Sequence, residues 1–394
     1  MKCVVAGYGS RGDVEPCIAI ARELARRGHD VRMAVTVAPD MLAAVKSAGL
    51  TPVPYGRDYQ ELLGDKDFVH MIQNPLSAIS EAVEYVARLG AEKTATLKSL
   101  ANGADLIVAG ITEQAPAANI ADYYGIPLAA LHFFPPEILE LRSPQGKVTK
   151  EAERAQRRAL GLPDATAPST QPLEIQAYDE LCFPGLAVEW AEKSKRRPFV
   201  GALTLELPTD ADDEVSSWIA AGTPPIYFGF GSTPLASPAD TFGVISAACT
   251  LLGERALICT GPNDGSTIPH ADHLKVVETV NHAAVFPACR AVVHHGGAGT
   301  TAAGLRAGVP TLVLWVGLDQ PIWAGVIERL KVGSAQHFTA TNQESLVTDL
   351  RSILSPRYIT RAQDIAASMT KSDESVASAA DLLEDTIRAS APSS

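Results

Sequence analysis

The chain has 394 residues, 46% of them hydrophobic and 20% charged, with a formal net charge of -12. That length accommodates two domains with substantial cores, and the acidic balance excludes a nucleic-acid binder, which needs a concentrated basic surface. The six cysteines, at positions 3, 17, 182, 249, 259 and 289, have neither zinc-site spacing nor a disulfide framework, so reduced and mostly buried thiols are expected.

Met1 leads directly into the apolar run Cys3-Val4-Val5-Ala6 and Gly7, which leaves no room for a secretory apolar region. No apolar segment approaches the ~20 residues of a membrane span. A cytoplasmic location is expected, with no stable membrane insertion and at most transient membrane contact. Gly7-Tyr8-Gly9-Ser10-Arg11-Gly12 satisfies GxGxxG after the first strand. In a dinucleotide fold an acidic residue follows the second strand, yet strand Val31 to Val35 is followed by Thr36-Val37-Ala38. An NAD(P)-dependent oxidoreductase is therefore the weaker alternative. The loop also offers Asp13, at the start of a helix that Pro16 is expected to enter within its first turn. Helix capping and general-base catalysis both suit an aspartate there, and the two roles are compatible.

Apolar runs then alternate with amphipathic stretches: helix Pro16 to Arg27, strand Val31 to Val35, helix Pro39 to Ala48, strand Asp105 to Ala109, helix Ala115 to Tyr124 and strand Pro127 to Leu131. This alternation predicts βαβ units and a parallel sheet. From 135 to 172 the pattern dissolves into Pro-rich, charged sequence with a helix around Glu151 to Leu160, the kind of excursion that shapes a substrate pocket. His132 follows a strand, and the apolar residues Phe68, Met71, Ile72, Phe133, Phe134 and Ile138 either line a pocket for a lipophilic acceptor or pack under the loops. The basic cluster Lys193 to Arg197 reads as a solvated face or loop, and Leu203 to Asp213 as a linker.

The pattern restarts with Pro225 to Ser232, a buried strand ending in a glycine loop. A helix from about Thr241 to Leu252 and strand Ala256 to Cys259 follow. The run Val292-Val293-His294-His295-Gly296-Gly297-Ala298-Gly299-Thr300-Thr301 has the anatomy of a phosphate seat: a strand, a glycine bend and a helix start. Its unpaired N–H groups and the helix dipole favour a diphosphate, the hydroxyls of Thr300 and Thr301 stand near, and a bound anion would help His295 carry positive charge. Helix Thr301 to Ala307 and strand Thr311 to Trp315 lead to Asp319-Gln320, a carboxylate and an amide suited to accepting from and donating to sugar hydroxyls. The tail, Ser375 to Arg388, is helical in pattern, and no internal repeat is visible.

Gly9-Ser10-Arg11-Gly12-Asp13-Val14-Glu15-Pro16, Val280-Asn281-His282, the His294 to Thr301 run and Asp319-Gln320 together resemble the GT-B glycosyltransferases of the UDP-glycosyltransferase type. The likeness is to the bacterial branch that decorates antibiotics and glycopeptidolipids, and to sterol glucosyltransferases. It implies an α/β protein of GT-B architecture, two Rossmann-like doubly wound parallel-sheet domains facing across a cleft. The corresponding division is an acceptor-binding domain over 1–205, a linker over 206–217, a nucleotide-sugar domain over 218–374 and a tail over 375–394 that crosses back to the first domain.

By the same resemblance Asp13 is the base. The nucleotide sugar is held by Ser10, Arg11, Gly12, Gly231, Ser232, Thr233, Val280, Asn281, His282, His295, Gly297, Ala298, Gly299, Thr300, Asp319 and Gln320. On their own character rather than by the resemblance, His132, Phe133, Phe134, Phe68, Met71 and Ile72 are the candidates to face the acceptor, His132 as a pocket-lining or internally satisfied histidine rather than a base. Where plant relatives place a tryptophan this chain has Thr279, so base recognition differs, and the plant histidine-aspartate pair has no counterpart. The implied reaction is inverting and needs neither metal nor cofactor; its partners are a UDP- or dTDP-sugar, with UDP-glucose favoured, and a lipophilic small molecule. A sugar-nucleotide-binding protein without catalysis is the remaining alternative.

Overall fold

The computed structural model describes residues 1–58, 61, 79–140, 146–163, 172–193, 196–266, 268 and 271–390. The chain divides into two compact units, one made of 1–178, 185–205 and 372–394, the other of 179–184 and 206–371. Among the described residues no helix is long and apolar enough to cross a membrane, and all six cysteines are buried and unpaired.

The first unit carries strands β1 (Lys2–Gly7), β2 (Asp30–Val35), β3 (Pro52–Pro54), β4 (Leu106–Ala109), β5 (Leu128–His132) and β6 (Leu173–Gln176). They form one sheet in the order β3-β2-β1-β4-β5-β6. All of its pairings are parallel, with Val4 opposite both Arg32 and Ile107. Val4, Val5, Ile107 and Val108 have no solvent exposure, as expected of strands covered on both faces. The helices of this unit are α1 (Arg11–Arg26), α2 (Pro39–Ser47), α3 (Ile79–Ala101), α4 (Gln114–Tyr124), α5 (Pro136–Glu140), α6 (Gly146–Ala159) and α7 (Pro184–Lys193).

Helix α1 begins earlier than the pattern implied. Ser10 is its N-cap and Asp13 its third residue, in a reciprocal capping arrangement. Pro16 therefore lies in the second turn, not the first.

The second unit carries β7 (Ile226–Gly229), β8 (Ala256–Cys259), β9 (Leu274–Val277), β10 (Ala291–His294), β11 (Thr311–Trp315) and β12 (Gly333–His337). Its sheet runs β9-β8-β7-β10-β11-β12, again wholly parallel. Read from the first strand of each unit, both sheets have the order 3-2-1-4-5-6. The structure therefore holds a duplication that the sequence does not display. Strand order reverses between β1 and β4 in one unit and between β7 and β10 in the other, and ligands of open α/β sheets bind beyond the carboxyl ends at such points.

Helices α8 (Asp212–Ala220), α9 (Pro238–Leu252), α10 (His282–Val285), α11 (Ala298–Ala307), α12 (Gln320–Leu330), α13 (Gln343–Ile353) and α14 (Pro356–Ala366) complete this unit. The stretch expected as linker runs into α8, because its acidic cluster is a helix start. Thr209 donates to Asp212 from both N–H and Oγ at 2.7 Å, Asp212, Asp213 and Glu214 fill the first turn where the dipole favours them, and Val215 is buried. Similarly α9 starts at Pro238 rather than Thr241, with Ser237 as N-cap and proline at its preferred first position.

The last helix, α15 (Ser372–Ser390), belongs to the first unit. Arg27, at the end of α1, reaches Asp381 at 2.6 Å and the Ala377 carbonyl at 3.0 Å, and His29 Nε2 lies 2.9 Å from Glu384.

Candidate functional site

In the second unit, the loops after β8, β7, β10 and β11 lie side by side in sheet order, drawn together by glycines that leave no room for a side chain. A Cβ on Gly261 (φ +56°) would stand 2.4 Å from the Gly231 carbonyl oxygen, and one on Gly231 (φ +58°) 2.6 Å from His295 Cε1. One on Gly297 would meet His295 Nε2 at 2.6 Å, and one on Gly296 (φ +93°) the Gln320 carbonyl oxygen at 3.1 Å. The His295 ring accordingly lies against Gly231 and Gly297.

Gly297 is the N-cap of α11 and has no side chain to cover the helix end. By helix geometry the N–H groups of Ala298, Gly299 and Thr300 lack intrahelical acceptors, and these three residues are only partly buried. Main-chain N–H groups and a helix dipole so arranged can accommodate an anion.

The two threonines differ. Thr300 is partly exposed, whereas Thr301 is fully buried and its hydroxyl donates to the Gly297 carbonyl at 2.9 Å. The expectation that Thr301 offers its hydroxyl to a ligand is corrected.

The two histidines also divide. His294 is wholly buried, and its Nδ1 accepts from the Gly296 N–H at 2.9 Å, which places its proton on Nε2 and fixes the bend. Beside it, His295 is half-buried, and its buried Nδ1 has no hydrogen-bond partner among the described residues. Burial pushes the His295 pKa down to about 4, opposed by the Gly229 main chain, so its imidazole is neutral near pH 7.

Ser232 and Thr233 are partly buried in the β7 loop. That loop is clipped by Asn263, a residue the sequence reading missed. Asn263 Oδ1 accepts from the Leu235 N–H at 2.9 Å, and Nδ2 donates to the Thr233 carbonyl at 3.2 Å. Gly261-Pro262-Asn263 was its only signal, a turn sequence.

Asp319 is the N-cap of α12 and Gln320 its first residue. Gln320 Oε1 accepts from the N–H groups of Val316 and Gly317, at 2.8 and 3.3 Å. The amide was expected to both accept and donate toward a sugar; its oxygen holds the loop instead. Leu318 in this loop has φ 57°, a left-handed conformation that costs roughly 1–2 kcal/mol for a non-glycine residue.

Val280, Asn281 and His282 are more structural than expected. Val280 packs in the core with Tyr227 and Phe286, so any ligand contact falls to its main chain. Asn281 caps α10, its Oδ1 accepting from the Ala283 N–H at 3.0 Å. The His282 ring stacks on Phe286 at 4.4 Å, with Nε2 3.1 Å from the Tyr227 hydroxyl.

In the first unit, Asp13 Oδ2 accepts from the Ser10 N–H at 2.9 Å and the Ser10 hydroxyl at 2.8 Å. Burial raises the Asp13 pKa above the usual carboxylate range, opposed by these two donors. Gly9 (φ +127°) is required there, since a Cβ would meet Asp13 Oδ2 at 2.5 Å. Ser10, expected to bind nucleotide, thus has both donors engaged by Asp13, and Arg11 pairs with Glu15 at 2.7 Å. Gly12 is exposed.

His132 ends β5, is 5% exposed, and has no hydrogen-bond partner on either ring nitrogen among the described residues. Burial depresses its pKa to about 4, with Glu137 acting in the opposite sense. Phe133 is buried, while Phe134 and Ile138 are partly exposed; Phe68, Met71 and Ile72 lie outside the described residues. The solvated face expected over 193–197 does not hold for Arg197, which pairs with Glu137 and Glu174 at 2.6 Å.

Two family models match this chain: the glycosyltransferase family 28 N-terminal domain over 3–116, and the erythromycin biosynthesis protein CIII-like C-terminal domain over 258–384. A glycosyltransferase of Mycobacterium leprae is 57% identical, covering 98% of this chain and 97% of its own. The chain belongs to the GT-B glycosyltransferases of the UDP-glycosyltransferase type.

The vancomycin aglycone glucosyltransferase of Amycolatopsis orientalis is 30% identical to this glycosyltransferase over 100% of its chain and 99% of that relative. Among solved structures, the spinosyn rhamnosyltransferase SpnG complexed with thymidine diphosphate has the same fold, with a TM-score of 0.72 at 18% identity over 97% of this chain and 100% of that one. Membership displaces the oxidoreductase alternative, and Asp13 supplies a physical reason. In this glycosyltransferase the GxGxxG loop directs its Ser10 N–H to a carboxylate, which repels the pyrophosphate that a dinucleotide would place there.

Proposed function

We propose that this glycosyltransferase moves a hexose from a UDP- or dTDP-sugar to a hydroxyl of a lipophilic small molecule, with inversion and without a metal. The observation that carries this reading is the second-unit seat, with His295 held over Gly231 and Gly297 beside the open N-terminus of α11. A diphosphate suits that seat chemically, and the thymidine diphosphate bound to the spinosyn enzyme and the aglycone in the vancomycin enzyme's name support the donor and acceptor classes.

In the proposed step the acceptor oxygen attacks the anomeric carbon from the face opposite the diphosphate. Asp13 takes the hydroxyl proton as the new C–O bond forms. The bond from the anomeric carbon to the phosphate oxygen breaks, and the electron pair leaves with the nucleoside diphosphate. Main-chain N–H groups and the His295 ring face the departing charge, and preorganised donors of this kind are worth ~3–4 kcal/mol each. Asp319 and the Gln320 NH2 hold sugar hydroxyls, and His132 and Phe134 border the acceptor. The raised pKa of Asp13 makes it a stronger base than an exposed carboxylate.

Turnover of Asp13→Asn tests this reading, with UDP-glucose and dTDP-glucose as donors and a panel of hydroxylated aglycones as acceptors. Transfer is expected to slow by about a hundredfold or more with donor affinity retained. Near-normal turnover would remove Asp13 as the base.

A further inference from the structure

The Asp13 loop is anchored from behind by a buried polar group that the reaction itself does not use. Its elements flank the place where strand order reverses in the first unit: the loop after β1 carries Tyr8, Gly9 and Ser10, and the loop after β4 carries Gly110 to Glu113. Gly110 N–H donates to the Ala6 carbonyl at 2.9 Å. Two residues on, the Thr112 hydroxyl donates to the Tyr8 carbonyl at 2.6 Å. Gly110 also lies under α1, where a Cβ would stand 2.9 Å from Cys17 Sγ and 3.5 Å from the Asp13 carbonyl oxygen.

The Tyr8 ring is clamped as well. Lys93 Nζ sits 3.8 Å from its centroid, and Tyr55 meets it edge to face at 6.3 Å. Both clamps converge on Glu113, which is fully buried. Its carboxylate accepts from the Tyr55 hydroxyl at 2.5 Å and pairs with the Lys93 ammonium through its other oxygen. A charge buried this deeply is tolerated only with such partners, so the four groups fix one another's positions. Gly56 (φ +72°) is part of the fit, since a Cβ there would lie 2.9 Å from Tyr8 Cε2.

We infer that Thr112, with the Lys93–Glu113 pair, positions the Tyr8-Gly9-Ser10 loop and through it sets the seat of the Asp13 carboxylate. The inference rests on the reading of Asp13 as base only for its catalytic consequence. These are positioning residues, acting through the loop that holds Asp13. Tyr8 leads directly into Gly9, whose missing side chain makes room for Asp13 Oδ2, and into Ser10, which supplies both donors to that oxygen.

The test reads Asp13 directly, by carbon-13 NMR titration of its carboxyl group in the full chain, assigned by loss of the signal in Asp13→Asn. Thr112→Val removes the bond to the Tyr8 carbonyl at nearly constant volume. The double variant Lys93→Met, Glu113→Gln removes the ion pair without leaving either charge buried alone. A loosened loop disturbs both the burial of the carboxylate, which raises its midpoint, and the two Ser10 donors, which lower it, so in both variants the midpoint is expected to move from the wild-type value by about half a pH unit or more. Thr112→Ser, which keeps the hydroxyl, should titrate like the wild type.

Wild-type titration in both disrupting variants overturns the inference, as does an equal shift in Thr112→Ser. Near-normal turnover of Asp13→Asn, together with the expected titration shifts, overturns only the base assignment and leaves the positioning role standing.

Discussion

Two histidines show how one side chain acquires different work from its surroundings. His132 and His295 both have pKa values lowered to about 4 by burial, and both keep ring nitrogens that no described group satisfies. An unpartnered buried imidazole is costly. For His132 the cost has a measurable sign. Between its ordinary pKa of 6.5 and its folded value of about 4, the unfolded chain takes up a proton that the folded chain refuses, so stability falls as pH falls through that window. His132→Leu is expected to lose less stability than the wild type between about pH 7 and about pH 5, read by denaturant unfolding followed through the first unit. Equal losses in the two proteins would show that His132 is not held neutral.

At this scale the sequence disclosed residue types but not their commitments. It pointed to Asp13, His295, Asp319 and Gln320 because their spacing after apolar runs put them at strand ends. It did not reveal that Thr301 turns back to Gly297 or that Gln320 Oε1 is bound to the Val316–Gly317 turn. Those depend on side-chain torsions, which no spacing encodes.

Among the elements, the β7, β8, β10 and β11 loops owe their contiguity to glycine. The glycines of the β10 loop were legible as a bend, but their partners were not, because the close approaches join residues as far apart as Gly231 and His295. Gly297 separates ligand binding from folding. Its backbone is in an ordinary region at φ -64°, so alanine there brings no strain, only a methyl group 2.6 Å from His295 Nε2. Gly297→Ala should displace the ring and weaken nucleoside-diphosphate affinity about tenfold, while loss of the N-cap glycine costs stability only about 1 kcal/mol. Calorimetry and thermal unfolding of the same variant read the two effects. Unaltered affinity would mean that the His295 position is immaterial to binding. Helix starts came three to five residues earlier than the pattern placed them where capping decided them, at Ser10 and Ser237, since the polar cap precedes the periodic apolar residues that mark a helix in sequence.

Over the whole molecule, alternation of apolar runs and amphipathic stretches was enough to expect two parallel α/β units, because strands covered on both faces must be continuously apolar. The shared 3-2-1-4-5-6 order was not legible. Strand order is fixed by crossover handedness and packing, and the two units no longer share residues that would betray it. Equivalent places carry different groups: the Asp13 carboxylate beyond β1 in one unit, and a cradle of glycine-rich loops beyond β7 and β10 in the other. The central claim concerns that cradle. Isothermal titration of UDP and dTDP into the full chain, with a chelator present, tests it most directly. The account predicts binding of at least one nucleotide that is unaffected by the chelator and weakened about tenfold or more by His295→Ala, given the worth of a preorganised donor. Absence of binding by either nucleotide, or equal affinity in wild type and His295→Ala, would contradict it.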